Sequence, residues 1–409
     1  MSYKVKSKEK RDGLLKDIRV LDLADEKAGY CSKLLADMGA SVIKIEKPGG
    51  DPSRVSGPSR KGSQRPEASL SFYYNNTNKK GITLDIEQDA GREIFLRILG
   101  RTDVVVETFP PGYLEKLGLG FKTLSKINLG LILASVTGFG QYGPRRDNKA
   151  CDIVASAMGG QMYVCGTKPN PPLKVAGEQS YFTASLFAAL GILLSLRKRR
   201  QNGRGEHIDV SLQESVAATL EHVMVRYFDE GVIPERQGGL HWNNAFSIFP
   251  CKDGFIHLTL FHQWKTLVEW MDSEGMAEDL TDGKWDDQEY RLTHIDHVLD
   301  VLGKWTMTHN RGELFEVGQL MHFPWAPVFS PMDVVDSPQL KARGFFVDID
   351  HPEIGDSLRY PGLPYKFSSQ FLSAVKRAPL PGEDNERFYK RELGLSDREF
   401  EKLLAIEAI

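Results

Sequence analysis

A chain of 409 residues, 41% hydrophobic and 26% charged, is long enough for two domains and an ample buried core. Its net charge of −3 lacks the basic excess that nucleic acid or an anionic membrane surface attracts, so neither is expected as a partner. The cysteines Cys31, Cys151, Cys165 and Cys251 form no CxxC or Cys/His grouping, so no metal and no disulfide scaffold is expected.

The N-terminal stretch Met1–Arg11 is charged and has no apolar core, so it does not read as a signal peptide. The longest apolar run, around Ala184–Leu196, is shorter than the roughly 20 residues of a membrane span. A soluble cytoplasmic protein is the expectation.

In chain order, Ile18–Leu23 has the apolar density of a buried strand, Ala28–Met38 has helical period, and Ser41–Glu46 is a second strand. Strand, helix and strand with Gly39 at the helix end is a βαβ unit, so a parallel sheet is expected. The turn-rich loop Lys47–Arg54 follows the second strand, where open α/β sheets place their ligands. Ser56–Ala68 reads as a surface loop, Asn78–Asp85 as a loop feeding a strand, and Asp89–Leu99 as a helix with an acidic start. Asp103–Glu107 is a further buried strand, a short helix lies near Leu124–Ile127, and Leu131–Val136 is another strand.

Gly138-Phe-Gly-Gln-Tyr-Gly143 matches the dinucleotide pattern GxGxxG, but Pro144–Lys149 follows as a polar loop instead of a helix. Without a helix N-terminus to hold a pyrophosphate, it reads as a glycine-rich loop and no NAD site is expected. Asp152–Gly159 resumes helical spacing. A long apolar helix is expected from about Ser180 to Leu196, ending in the cations Arg197–Arg200, where the helix dipole favours them. A strand within Gly203–Val210 and a helix over Leu212–Asp229 complete this part. From Gly238 the texture changes: Phe246–Leu260 reads as two strands joined at Lys252-Asp-Gly254, with helical segments over 262–320. A smaller domain is placed at 225–325, and a closing helix after Ser396.

Together these stretches resemble the class III CoA-transferases, the group of formyl-CoA and carnitine CoA-transferases and 2-methylacyl-CoA racemases. The resemblance rests on Arg19–Leu23, Leu35–Pro52, Asn78–Asp85, Ser135–Pro144, Gly203–Val210 and Pro338–Phe345, in the family's order and across nearly the whole chain. It implies an α/β fold: a Rossmann-like large domain (1–224), a smaller α+β domain (225–325), and a C-terminal segment (326–409) returning to the large domain. It also implies an interlocked dimer with active sites between subunits. No cofactor is expected to be tightly bound; coenzyme A and acyl-CoA are expected as substrates.

The family's transferases use an aspartate that attacks the acyl-CoA thioester, because a carboxylate both forms and leaves an anhydride. Aligning the family helix on Ala188–Leu193 puts Tyr181 at that aspartate's position, and a phenol with a pKa near 10 does not replace it. The racemase branch resembles a two-base mechanism with that aspartate and a histidine; Cys151, followed by Asp152, stands at the histidine's position.

Three readings follow, in order. The chain is the non-nucleophilic subunit of a heteromer whose homologous partner carries the aspartate, as in the family's succinyl-CoA:benzylsuccinate CoA-transferase. Alternatively, Glu178 is the nucleophile of a homodimer, or the chain binds acyl-CoA without chemistry. The implied reaction moves CoA from a dicarboxylic acyl-CoA such as succinyl-CoA to an organic acid such as benzylsuccinate.

By motif position the resemblance gives Lys47, Arg54, Asn78, Lys79, Thr108, Phe109, Lys116 and Lys149 as CoA contacts. It gives Lys27, Ala28, Cys151, Asp152 and Tyr181 as the substrate pocket. For each lysine alone, a solvated surface charge is the simpler reading. Asp25–Lys27 and Tyr30 depart from the family pattern around Ala28-Gly29. Phe323-Pro-Trp325 reads as core or as a substrate-ring wall, and His241–Asn244 as a lid or an interdomain loop.

Overall fold

Strands buried on both faces, alternating with helices, require a parallel sheet covered on both sides. The computed structural model describes residues 13–61, 69–240, 246–259, 263–368 and 375–409. Its first half runs β1 (Arg19–Leu23), α1 (Gly29–Asp37), β2 (Ser41–Glu46), α2 (Leu70–Asn75), β3 (Lys80–Thr83), α3 (Asp89–Leu99), β4 (Val104–Glu107) and β5 (Ile132–Thr137). Then follow α4 (Asp152–Met158), the long α5 (Gln179–Asn202), β6 (His207–Ser211), α6 (Leu212–Ala217) and α7 (Glu221–Glu230). The six strands are parallel, in the order β3-β2-β1-β4-β5-β6. The chain steps outward from β1 through β2 and β3, then returns to β4 on the other side. The point of reversal, between β1 and β4, opens a crevice beyond the strands' carboxyl ends.

Successive strand residues face opposite layers. Val20, Val42, Val104, Val106, Ile132 and Ala134 enter one core with α1 and α5, whose Ala184, Ala188 and Ala189 permit close approach. Leu21, Ile43, Ile82, Val105 and Leu133 enter the other core with α3 and the C-terminal Phe388, Tyr389 and Phe400. The closing helix, Asp397–Ala405, begins on a reciprocal cap between Ser396 and Glu399.

The helix expected to end near Leu196 continues to Asn202 and stops at Gly203, whose left-handed backbone lets its N–H bond the Arg199 carbonyl. By length and composition α5 would suffice to cross a membrane, but half of its apolar window is buried in the fold, as in a core helix. Its other face carries Leu186, Phe187, Leu190 and Leu194, which are 41–58% exposed. The single helix expected over Leu212–Asp229 is two, parted at 218–220, where the Thr219 hydroxyl donates to the Val216 carbonyl and competes with the backbone ladder. No helix opens at Gly143; the next begins at Asp152.

The chain forms two units, Met1–Met162, Lys174–Val232 and Gly344–Ile409 in the larger, Tyr163–Leu173 and Ile233–Arg343 in the smaller. These boundaries compare with the expected 224/225 and 325/326. In the smaller unit β7 (Phe246–Cys251) and β8 (Gly254–Thr259) form the expected hairpin, extended by β9 (Ala326–Pro327). Its core holds Trp264, Trp285, Trp305, Phe323 and Trp325. Phe323 and Trp325 stack at 4.4 Å between centroids and are both buried, which is the packing role. In the larger unit a hairpin of β10 (Phe346–His351) and β11 (Asp356–Pro361) was not evident in the sequence. His241–Asn244, Met1–Arg11 and most of the loop Ser56–Ala68 fall outside the described residues.

Candidate active site

A cavity of about 1020 Å³ occupies the crevice in the larger unit. Its floor is apolar, from Leu23, Ile45, Leu84, Ile86, Phe109 and Tyr113, and its polar rim includes the cations Lys27, Lys47, Arg146 and Lys149. Phe109 stacks on Tyr113 at 4.6 Å, giving a flat aromatic surface. Cations around an apolar slot suit a ligand that combines phosphates with a planar base. Of the residues named from motifs, Lys47, Thr108, Phe109, Lys149 and Lys27 line this cavity. Arg146, which sequence reasoning missed, joins them from the loop after Gly143. Its only sequence signal was a pair of arginines in a polar turn.

Arg54, Lys79, Asn78 and Lys116 are not among the lining residues, and the first three are committed elsewhere. Arg54 forks both nitrogens onto the Glu46 carboxylate at 2.6 Å and sits over the Phe72 ring. Lys79 is fully enclosed and donates to Asp22 at 2.7 Å, to the Gly29 carbonyl at 3.0 Å and to Asn76 at 2.7 Å. Asn78 bonds Asp37 and the Lys376 amide, beside a different cavity. Lys116 is exposed on a helical turn, Tyr113–Lys116. A buried cation must be paired, and the three bonds of Lys79 use all its donors, while Arg54 spends Nε and Nη2 on Glu46 and the Pro379 carbonyl. Lys44 is likewise buried; burial opposes its charge, but Asp51, Asp22 and Glu46 outweigh that and hold it above the usual lysine range. Its partner Asp51 is held down at about 2: burial opposes this, but Lys44 and hydrogen bonds from Ser53 prevail.

The junction entering α5 is pinned by Asp152. Its carboxylate accepts the Ser180 amide at 2.9 Å and pairs with Lys174 at 2.7 Å, and the Ser180 hydroxyl donates to the Asp152 carbonyl at 3.1 Å. Asp152 therefore holds the two ends of the loop instead of standing free in a pocket. Tyr181 lies in the first turn and is buried in the core shared by α1 and α5. Burial raises its pKa above the usual phenol range and Glu26 adds to the effect, against the opposing pull of a hydrogen bond from the Asp152 backbone N–H. A nucleophile at this position would need the opposite shift. Tyr30, another departure from the family pattern, packs edge-on against Phe182 at 4.9 Å. Ala28 is fully buried and Cys151 is exposed at the start of α4.

A small recess of about 40 Å³ adjoins the large cavity and shares Asp25, Glu26 and Ser56 with it. Its other walls include Glu178, Asn75, Asn76, Ser53, Ser71 and Phe72. Glu178 directly precedes α5. Burial raises its pKa, and Asp152 and Glu26 raise it further. Glu26 is raised by burial and by Asp25.

Behind the cleft, Glu107 ends β4 and accepts the Phe109 amide at 2.7 Å. The Ser135 hydroxyl bonds it and also lies 2.9 Å from His207 Nε2. Burial pushes the Glu107 carboxyl up to about 7, and burial holds His207 low.

Fold and cleft together define an open parallel α/β protein with a large cavity at its switch point. The family model for CoA-transferase family III matches residues 15–385. The chain belongs to that family. It is 33% identical to succinyl-CoA:(R)-benzylsuccinate CoA-transferase subunit BbsE of Thauera aromatica, over 96% of this chain and 97% of that one. It is 34% identical to succinyl-CoA:mesaconate CoA-transferase of Haloarcula hispanica, over 91% and 94%. Among solved structures, a CaiB/BaiF family protein from Brucella suis superposes with a TM-score of 0.84 at 28% identity, covering 94% of this chain and all of that one.

Two outcomes follow from the buried groups. Lys79→Met leaves Asp22 as an uncompensated buried charge and is expected to destabilise the fold by about 3–5 kcal/mol in urea unfolding; an unchanged midpoint would mean the pair is not buried in solution. Glu107 has a folded pKa above its ordinary 4.5, so it favours the fold when protonated. That contribution is fully present below 4.5 and is lost as pH rises through about 7. Its loss amounts to on the order of 3 kcal/mol. Glu107→Gln is expected to remove this component from stability measured across pH 4.5 to 8, so the variant loses less on alkalinisation than the parent.

Proposed function

We propose that this chain is the non-nucleophilic subunit of a heteromeric CoA-transferase, paired with a homologous chain that supplies the aspartate. The observation that carries the reading is Tyr181, whose ring is buried and whose hydroxyl is tied to the Asp152 amide at the family's nucleophile position. A phenol there forms no anhydride, so the covalent steps belong to a partner. In those steps the partner's aspartate attacks the thioester carbon and CoA leaves as thiolate. The thiolate attacks the aspartyl carbonyl of that anhydride, releasing the donor acid and leaving an aspartyl-CoA thioester. The acceptor carboxylate displaces CoA as thiolate to give a second anhydride, and thiolate attack on its acceptor acyl carbon releases the new thioester and frees the aspartate.

In this reading CoA lies in the large cavity, with its phosphates on Lys47, Arg146 and Lys149 and its adenine against Phe109 and Tyr113. The donor is a dicarboxylic acyl-CoA such as succinyl-CoA, and the acceptor an organic acid such as benzylsuccinate, in line with the printed name of the BbsE relative. The apolar outer face of α5, with Leu186, Leu190 and Leu194 exposed, supports a covering subunit, and an interlocked, cytoplasmic heterodimer is the proposed assembly. One observation favours a second reading: Glu178 sits at the start of α5 and lines the recess beside the cleft, so it is placed to act as a carboxylate nucleophile in this chain.

The test is to purify the chain alone and with a co-expressed homologue bearing aspartate at the Tyr181 position, and to assay CoA transfer. The chain alone is expected to fall more than about 10³-fold below the pair, as for loss of a catalytic nucleophile; full activity alone overturns the subunit reading. Glu178→Gln in the active pair is expected to leave turnover and hydroxylamine-sensitive acyl capture intact, and loss of both would transfer the role to Glu178.

A further inference from the structure

The lining of the cleft mixes cations with carboxylates, whereas the walls of the recess beside it carry carboxylates and no cation. Asn75 is buried to 6% exposure and lines the recess, and its carboxamide oxygen has no hydrogen-bond partner among the described residues. A buried acceptor left alone costs about 1–3 kcal/mol, so it points to a donor that belongs there. Glu26 and Glu178 add two carboxylates to the same walls. The cations nearest to them are already engaged: Lys27 with Asp25, and Lys174 with Asp152 at 2.7 Å and the Gly177 carbonyl. Asp25 is satisfied by Lys27 and by the Lys27 amide. The hydroxyls of Ser53 and Ser56 donate to Asp51 and to the Pro52 carbonyl, so they do not supply the missing donor. Among the described residues no three acidic, histidine or cysteine groups converge closely enough to hold a metal ion. What remains is one unpartnered acceptor, the Asn75 oxygen, beside the Glu26 and Glu178 carboxylates and the Ser71 hydroxyl, around a space of about 40 Å³, the size of one small polar group.

We propose that this recess receives the far end of an organic acid that carries a hydrogen-bond donor there, a protonated amine or a hydroxyl, and that it rejects an acid ending in a second carboxylate. The donor would satisfy the Asn75 oxygen and lie between Glu26 and Glu178. A carboxylate in the same place would add a third negative charge and leave the Asn75 oxygen unpaired. The inference rests on the reading of the large cavity as the CoA site only for the route of entry, since the recess opens at Asp25, Glu26 and Ser56 on the cavity's wall. The dicarboxylic donor and acceptor both react at the partner's aspartate, and the recess of this chain holds a separate, donor-bearing acid.

Three unbranched four-carbon acids that differ only at the far end test this: 4-aminobutyrate, 4-hydroxybutyrate and succinate. Their binding to the full chain, saturated with CoA, is measured by titration calorimetry at pH 7. At least one of the first two is expected to bind tenfold or more tightly than succinate. The order between those two tells an ammonium preference from a hydroxyl one. The double variant Glu26→Gln, Glu178→Gln is expected to narrow the ratio to under threefold, with Glu26→Gln alone used if the double variant does not fold. Succinate binding as tightly as both, an unchanged ratio in the variant, or no acid binding to a chain that does bind CoA would each overturn the inference. Failure of CoA itself to bind would overturn the reading of the large cavity, and succinate discrimination measured without CoA would still decide the recess.

Discussion

The buried pair between Asp22 and Lys79 fixes the geometry on which the site depends. Both side chains are fully enclosed, and each also bonds groups from a different segment: Asp22 accepts the Ser32 hydroxyl and the Ala24 amide, and Lys79 donates to the Gly29 carbonyl and Asn76. One ion pair thus ties the end of β1, the start of α1 and the approach to β3. Its neighbours repeat the device, with Lys44 on Asp51 and Arg54 on Glu46 closing the loop after β2. Buried pairs of this kind add little net stability over an apolar replacement, but they penalise any arrangement that separates the partners. Their value here is to hold loops at the strand ends in one conformation, so that the cleft they border is already formed.

That constraint explains which motif residues line the cleft and which are turned into the fold. Strands and helices stand out because their causes are local: apolar runs such as Val104–Val106, and period and charge in Asp89–Leu99. The parallel order followed from strand–helix–strand alternation. A lysine beside a strand end, in contrast, looks the same in sequence whether it faces a phosphate or a buried aspartate. Lys149 and Lys79 differ only in what lies across from them, and that partner comes from 57 residues away in the case of Asp22. Arg146 was hidden for the reverse reason, since a polar turn gives no sign of which cavity it borders. The β10–β11 hairpin was missed because most of its residues are half-exposed or exposed, and its strands carry a mixed polar pattern.

The departures from the family pattern near α5 form one packed group. Tyr30 lies against Phe182, and Tyr181 enters the core beside Ala184 and Ala188. Replacing a small acidic side chain by a phenol at such a junction requires room, and α5 supplies it through the small residues on its inner face. The phenol also takes over the Asp152 amide, a polar contact that would otherwise be left for another group. Size, polarity and packing therefore agree on a filled position, and this consistency across levels weighs against reading Tyr181 as an isolated change.

On the proposed reading, in which Tyr181 fills the nucleophile position, the remaining electrostatics set an orientation. The large cavity has Lys47, Arg146 and Lys149 on its rim, while the recess at its edge has Glu26 and Glu178. A ligand with phosphates at one end and a donor at the other is drawn into this dipole of the site in a single direction, whereas a ligand anionic at both ends is repelled from the inner position. Both carboxylates are partly buried, and Lys27 and Lys174, each bonded to another aspartate, offset only part of that repulsion. On the proposed reading, selectivity in this chain comes from that opposition of charge and does not depend on any reacting group of its own.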